Sequence, residues 1–124
     1  MMYFWIALGG ALGAVARFSM ATAVFRWADK PFPYGTLSVN LLGSFVIGIA
    51  YVYLVENHVG DDYHKQLAMV GFLGAFTTFS TFSLESISLL QQSRYEAFIA
   101  YIGISLLGCL AATAAGIWLS KSLV

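Results

Sequence analysis

Four stretches of this sequence, at about residues 3–25, 36–55, 66–91 and 97–119, are each long and apolar enough for one helical membrane crossing. A crossing needs roughly 20 mostly apolar residues. Backbone that faces lipid has no water to bond with. Any non-helical stretch inside such a span must therefore be sheltered by protein or border a wet cavity. The composition agrees: 60% of the residues are hydrophobic and 10% are charged, against about 45–50% and about 25% in soluble domains. The chain reads as an all-α membrane protein of four transmembrane helices, forming a single domain over residues 1–124. Its formal charge of zero offers no basic surface for nucleic acid. The lone cysteine, Cys109, excludes an internal disulfide. The first stretch begins at Met2 without a basic lead-in or a small-residue cleavage site, so it is expected to be a retained span rather than a signal peptide.

The connections are short and polar. RWADKPFPYG (26–35) contains Pro31 and Pro33, which mark a firm break, and ENHVGDDYHK (56–65) is the most polar segment. Neighbouring helices should therefore be antiparallel, with both termini on one side. That side carries Lys65 and Lys121. The other carries Arg26, Lys30 and Arg94, with Arg17 buried nearer to it. Orientation follows an excess of Lys and Arg in cytoplasmic loops, and here the excess is slight. Both a single orientation and insertion in two orientations, hence an antiparallel dimer, are compatible with it. Gly9 and Gly13, and likewise Gly108, Ala112 and Gly116, form small-xxx-small steps that let helices approach closely, either within one copy or between two. Four short helices enclose little volume, which favours an oligomer.

Several polar groups lie inside the spans. Arg17 sits eight residues before the end of its stretch, roughly 12 Å from it at 1.5 Å per residue. It can supply a fixed positive field for an anion, anchor a dimer, or bond backbone carbonyls. Asn40 can join helices or offer its N–H groups to an anion. Tyr101, Ser105, Cys109 and Thr113 recur every four residues and share one helical face. That pattern suggests a wet or hydrogen-bonded seam, unless the hydroxyls bond back to their own helix. In GAFTTFSTFSLE (74–85) a helix over 78–88 puts Thr81, Glu85 and Ser88 on one face, with Phe79 and Phe82 beside them. Gly71 and Gly74, followed by Thr77 and Thr78, can break the third helix midway, freeing carbonyls that suit a cation and N–H groups that suit an anion. An unbroken helix with its hydroxyls bonded internally is the plainer alternative. Phenylalanine edges are electropositive and can hold a small anion weakly enough to release it. An ionised Glu85 would repel that anion, so it must be protonated, paired with a donor or set aside. His58, Asp61, Asp62 and His64 form a polar loop cluster without firm ligand geometry. Nothing in the chain resembles a catalytic nucleophile with its base, a Walker loop or a dinucleotide fingerprint, and no enzyme is expected.

The run GFLGAFTTFSTFSLE (71–85), with NLLGS (40–44) and Arg17, resembles the Fluc (CrcB) family of small fluoride channels. The resemblance extends over the whole chain in length, span count and motif order, and TFSTFS followed by an acid is its specific part. It implies an antiparallel, dual-topology homodimer in the inner (plasma) membrane of a prokaryote, in contact with membrane lipid. Two pores would release fluoride passively from the cytoplasm. By the same resemblance, Phe79 and Phe82 match the pore phenylalanines and Asn40 the pore asparagine. Ser80, Thr81 and Glu85 match a polar track that Thr113 joins, with Ser105 and Cys109 beside it. Gly74 and Thr78 match positions in the broken third helix whose carbonyls hold a structural sodium ion. Arg17 matches the first-span arginine. Two positions depart from the pattern: Ala75 stands where many members have a second glycine, and Cys109 replaces a hydroxyl residue. The rival readings are a proton-coupled drug exporter, which depends on an acid in a substrate chamber, and a non-transporting membrane assembly subunit.

Overall fold

A computed structural model describes residues 1–28 and 31–124; Lys30, counted in the charge comparison above, lies outside them. Four helical segments are long and apolar enough to cross a membrane: Met2–Ala28, Tyr34–Glu56, Asp62–Gln91 and Tyr95–Leu123. Each runs past at least one of the ends set by hydropathy, although the third stops at Gln91 as expected. The extra turns carry Arg26, Glu56, Asp62, Lys65, Glu96 and Lys121, charges that a helix tolerates once it leaves hydrocarbon. The second segment ends in a wider π-helical turn over Tyr51–Glu56, and the third contains another over Gln66–Leu73.

The ends are fixed locally. Proline has no N–H to bond and sets its own φ, so Pro33 stands at the start of the second segment, where its carbonyl accepts from Leu37 N–H at 3.2 Å. The third ends at Gln91, and Ser93 turns the chain with a left-handed φ of 58°. Arg94 N–H then reaches back to Leu89 O at 3.0 Å, satisfying a helix-end carbonyl. The Arg94 guanidinium also donates to Pro31 O, tying the first turn to the third. At the opposite end Lys121 pairs with Glu56 at 3.5 Å, and Trp5 lies against Tyr63 with ring centroids 5.2 Å apart.

Helix one lies along the opening half of the third segment, and helix two lies along helix four. Glycine makes both contacts close. Any side chain at Gly9 would strike the Leu67 carbonyl, and any at Gly13 that of Phe72. In the other pair, Gly48 faces the Thr113 carbonyl and Gly116 that of Phe45. The small-residue steps in spans one and four thus meet partners within the same copy. A Gly13→Ala substitution forces apart two backbones that already touch. It should cost about 1–3 kcal/mol, the usual penalty of overpacking, read as a lowered midpoint in thermal unfolding of the detergent-solubilised protein.

The third segment changes partner along its length. Its first half lies on helix one, whereas Phe79–Gln91 lies on helix four and more lightly on helix two. Phe82 and Leu89 from this second half join Leu37 and Tyr101 in the main buried cluster.

Candidate functional site

The partner change coincides with a departure from helical geometry. The helix stops at Phe76, Thr77 and Thr78 take extended dihedrals (ψ of 156° and 117°), and a helix resumes at Phe79. Gly74 itself is helical, with φ −61° and ψ −37°. The extended residues are the two threonines; Thr77 N–H still donates to Leu73 O at 3.1 Å, and both hydroxyls add bonds of their own. Thr77 Oγ1 donates to Leu73 O at 3.0 Å. Thr78 Oγ1 accepts from Thr81 N–H at 3.1 Å, an N-cap of a kind worth about 1 kcal/mol.

Two side chains from other helices complete the bonding. Asn40 uses both ends of its amide on one residue: Thr78 N–H donates to Oδ1 at 2.8 Å, and Nδ2 donates to Thr78 O at 3.0 Å. It therefore acts as the helix-joining group considered above, and one Nδ2 hydrogen remains for another acceptor. Arg17 Nε donates to Ala75 O at 3.0 Å, the carbonyl-bonding role. Among the described residues it pairs with no acid. In an unbroken helix Thr78 N–H would bond to Gly74 O. Because Asn40 takes that donor, the Gly74 carbonyl loses its helical partner. Gly74 lies on the exposed outer surface of the protomer.

Around this point lie two cavities. The first, about 370 Å³, is a half-open cleft between helices two and four and the third segment. It is lined by Asn40, Thr78, Phe79, Phe82, Ser105 and Cys109, with Gly43, Ser44, Thr77 and aliphatic side chains completing it. The second, about 380 Å³, holds Arg17, Thr36, Thr78, Thr81 and Glu85. Thr78 borders both. A third hollow of about 330 Å³ continues from Glu85 past Ser88 to Arg94. Polar groups therefore follow one another from the cleft, past Thr78 and Glu85, to the turn at Arg94.

The two aromatic rings line the first cleft. Phe79 and Phe82 have centroids 5.4 Å apart and planes at 51°. Phe82 is 8% exposed and rests on Tyr101, its centroid 5.2 Å away, whereas Phe79 is 73% exposed. Tyr101 is fully buried, and its hydroxyl donates to Glu85 Oε1 at 3.0 Å. Glu85 is thus paired with a donor, one of the three states open to it.

The other candidates are spread around the site. Ser80 points outward, its hydroxyl 3.3 Å from Thr78 Oγ1. Thr113 donates to Ser44 O at 2.9 Å, linking helix four to helix two rather than lining the cleft. Ser105 is buried with an unbonded hydroxyl, and Cys109, one turn on, is half-buried. In the polar loop, Asp61 N–H donates to His64 Nδ1 at 3.0 Å. Among the described residues no three His, Cys, Asp or Glu side chains gather as metal ligands. Gly43 was given no role of its own from the sequence, and its contact with Thr77 was not foreseen. Thr77 Cγ2 presses against Gly43 so closely that no side chain fits there. The spacing NLLG, with glycine three residues after Asn40 and so on its face, was the available signal.

The model of the family described as "CrcB-like protein, Camphor Resistance (CrcB)" matches residues 4–117. The chain belongs to the CrcB family. Relatives over nearly the whole length carry the name "Fluoride-specific ion channel FluC". One from Hahella chejuensis is 52% identical over 117 residues, 94% of this chain and 92% of its own. One from Magnetococcus marinus is 45% identical over 113 residues, 91% of this chain and 92% of its own. One from Hydrogenovibrio crunogenus is 44% identical over 116 residues, 94% of this chain and 88% of its own. The relatives of this CrcB-family chain are thus named as channels and not as enzymes.

Proposed function

We propose that this chain is a fluoride-selective passive ion channel, exporting fluoride from the cytoplasm of a prokaryote through two pores in an antiparallel, dual-topology homodimer in the inner membrane. The observation that carries the reading is the cleft where Asn40 clamps Thr78 and where Phe79, Phe82 and Ser105 meet, in a family whose relatives are named fluoride channels. An ion entering this cleft meets no acid. It meets one free amide hydrogen of Asn40, electropositive ring edges and the Ser105 hydroxyl, neutral groups that replace hydration water while binding weakly enough for release. Thr81 and Glu85 continue the track. The Tyr101 hydroxyl holds the Glu85 carboxylate, and Arg17 adds a positive field beside them.

Two features support the dimer. The cleft is open on one side, and Phe79 at its edge is 73% exposed, so a second copy is needed to enclose the path. The turn from Phe76 to Phe79 serves as a break in the middle of the third span, and it leaves the carbonyl of the exposed Gly74 without its helical donor. A structural sodium ion shared by the Gly74 and Thr78 carbonyls of two copies fits these groups. They are neutral oxygens of unwound backbone, the donor type used for sodium at broken membrane helices. When bound, such an ion supplies positive charge that pins the two breaks together.

The exporter reading fares less well, because the carboxylate of Glu85 that it would need for proton exchange is engaged by the Tyr101 hydroxyl. Purified protein in liposomes loaded with fluoride or chloride separates the readings. Fluoride release on addition of a potassium ionophore, with chloride retained, is the expected result. Equal release of both halides, or of neither, counts against the channel.

A further inference from the structure

Among the described residues Ser105 carries the one buried side-chain oxygen or nitrogen without a hydrogen-bond partner. Ser83, Ser86 and Ser122 each donate to the carbonyl four residues back, at 3.0, 2.7 and 3.0 Å. Ser105 has the same option on a regular helix, yet its hydroxyl is buried and bonded to no described group. Buried hydroxyls are nearly always partnered. Since Ser105 lines the cleft, its partner is whatever occupies that cleft. Cys109 follows one turn later on the same face, about 5–6 Å away between Cβ atoms, and lines the same cleft half-buried. A metal atom bound to Cys109 Sγ therefore occupies the same cleft that Ser105 lines.

The lining fixes the class of that atom. No Asp, Glu or His borders the cleft, so hard divalent cations find no charged oxygen ligand there. A thiol sulfur, in contrast, selects soft cations. We propose that Cys109 makes the cleft a binding site for soft, thiophilic metal ions, and that a metal held there closes the ion path. The inference rests on the cleft being that path, as proposed above. With mercuric chloride, which is uncharged and enters from water or lipid, the Cys109 thiol gives up its proton and forms a sulfur–mercury bond. One mercury–chlorine bond breaks, and chloride leaves with the proton. No electrons are transferred.

The test uses fluoride efflux from liposomes carrying the full-length protein, before and after mercuric chloride, together with intact mass. Wild-type flux should fall to the protein-free level while each chain gains one mercury, as its single cysteine dictates, and excess dithiothreitol should restore both. Cys109→Ser should retain in mercury whatever flux it shows without it. Three results overturn the proposal: no mercury on the wild-type chain, a mercury adduct with undiminished flux, or equal inhibition of Cys109→Ser. A wild-type protein that passes no fluoride before mercury is added contradicts the channel reading itself, and this inference with it.

Discussion

Replacing Asn40 with alanine should abolish fluoride flux and lower stability by about 2–4 kcal/mol, because one side chain supplies both partners of the Thr78 backbone. A buried donor or acceptor left unsatisfied costs about 1–3 kcal/mol, and the substitution orphans Thr78 N–H and removes one bond from Thr78 O. The freed N–H has an alternative partner in Gly74 O four residues back, so the segment between Phe76 and Phe79 would tend to wind into continuous helix. Phe79 and Phe82 would then rotate away from Ser105. Asn40→Asp separates the two effects. It keeps the acceptor for Thr78 N–H but loses the amide hydrogens and adds a negative charge to the cleft. It should therefore fold better than Asn40→Ala and still pass no fluoride. Thermal unfolding in detergent and liposome efflux, measured on both variants, check the two parts. An Asn40→Ala protein with wild-type stability would show that Thr78 finds other partners.

Much of the architecture was legible because hydropathy is a local property. The four spans, their short turns and the antiparallel neighbours follow from runs of apolar residues and from Pro31 and Pro33. Helical spacing also carries through. Thr81 and Glu85 do border one cavity, Glu85 and Ser88 the next, and Ser105 and Cys109 a third, with Tyr101 buried one turn before them. What spacing cannot reveal is which distant group meets which. Asn40 and Thr78 are 38 residues apart, and Arg17 and Ala75 are 58 apart. Whether Asn40 joined helices or waited for an ion was open until its partner was seen. It joins them, and keeps one hydrogen in reserve. The glycine steps left a similar choice. Gly9 and Gly13 could face another copy or another helix, and only the carbonyls of Leu67 and Phe72 decide it. Of the four residues that suggested a break, Gly74 stays helical while Thr77 and Thr78 extend, and the Thr78 hydroxyl caps the helix that follows. Thr113, on the same face, bonds across to Ser44 O on helix two, the hydrogen-bonded form of the seam that its spacing suggested.

Phe82→Ile should reduce fluoride efflux to the level of empty liposomes while leaving the protein folded. The ring fills part of the buried cluster with Leu37, Leu89 and Tyr101. Isoleucine keeps most of that apolar contact, and its smaller volume costs about 1–3 kcal/mol, which a four-helix membrane protein can absorb. What isoleucine lacks is the electropositive ring edge, the one feature of Phe82 that an anion can use. Phe82→Tyr keeps that edge and should retain more flux than the isoleucine variant, although its hydroxyl must find room beside Tyr101. The decisive measurement is the initial rate of fluoride efflux from liposomes bearing Phe82→Ile, compared with wild type at equal protein density and after gel filtration shows the same oligomer. The account predicts a rate indistinguishable from protein-free liposomes. A wild-type rate from that intact oligomer would mean that fluoride does not pass along the Phe82 ring.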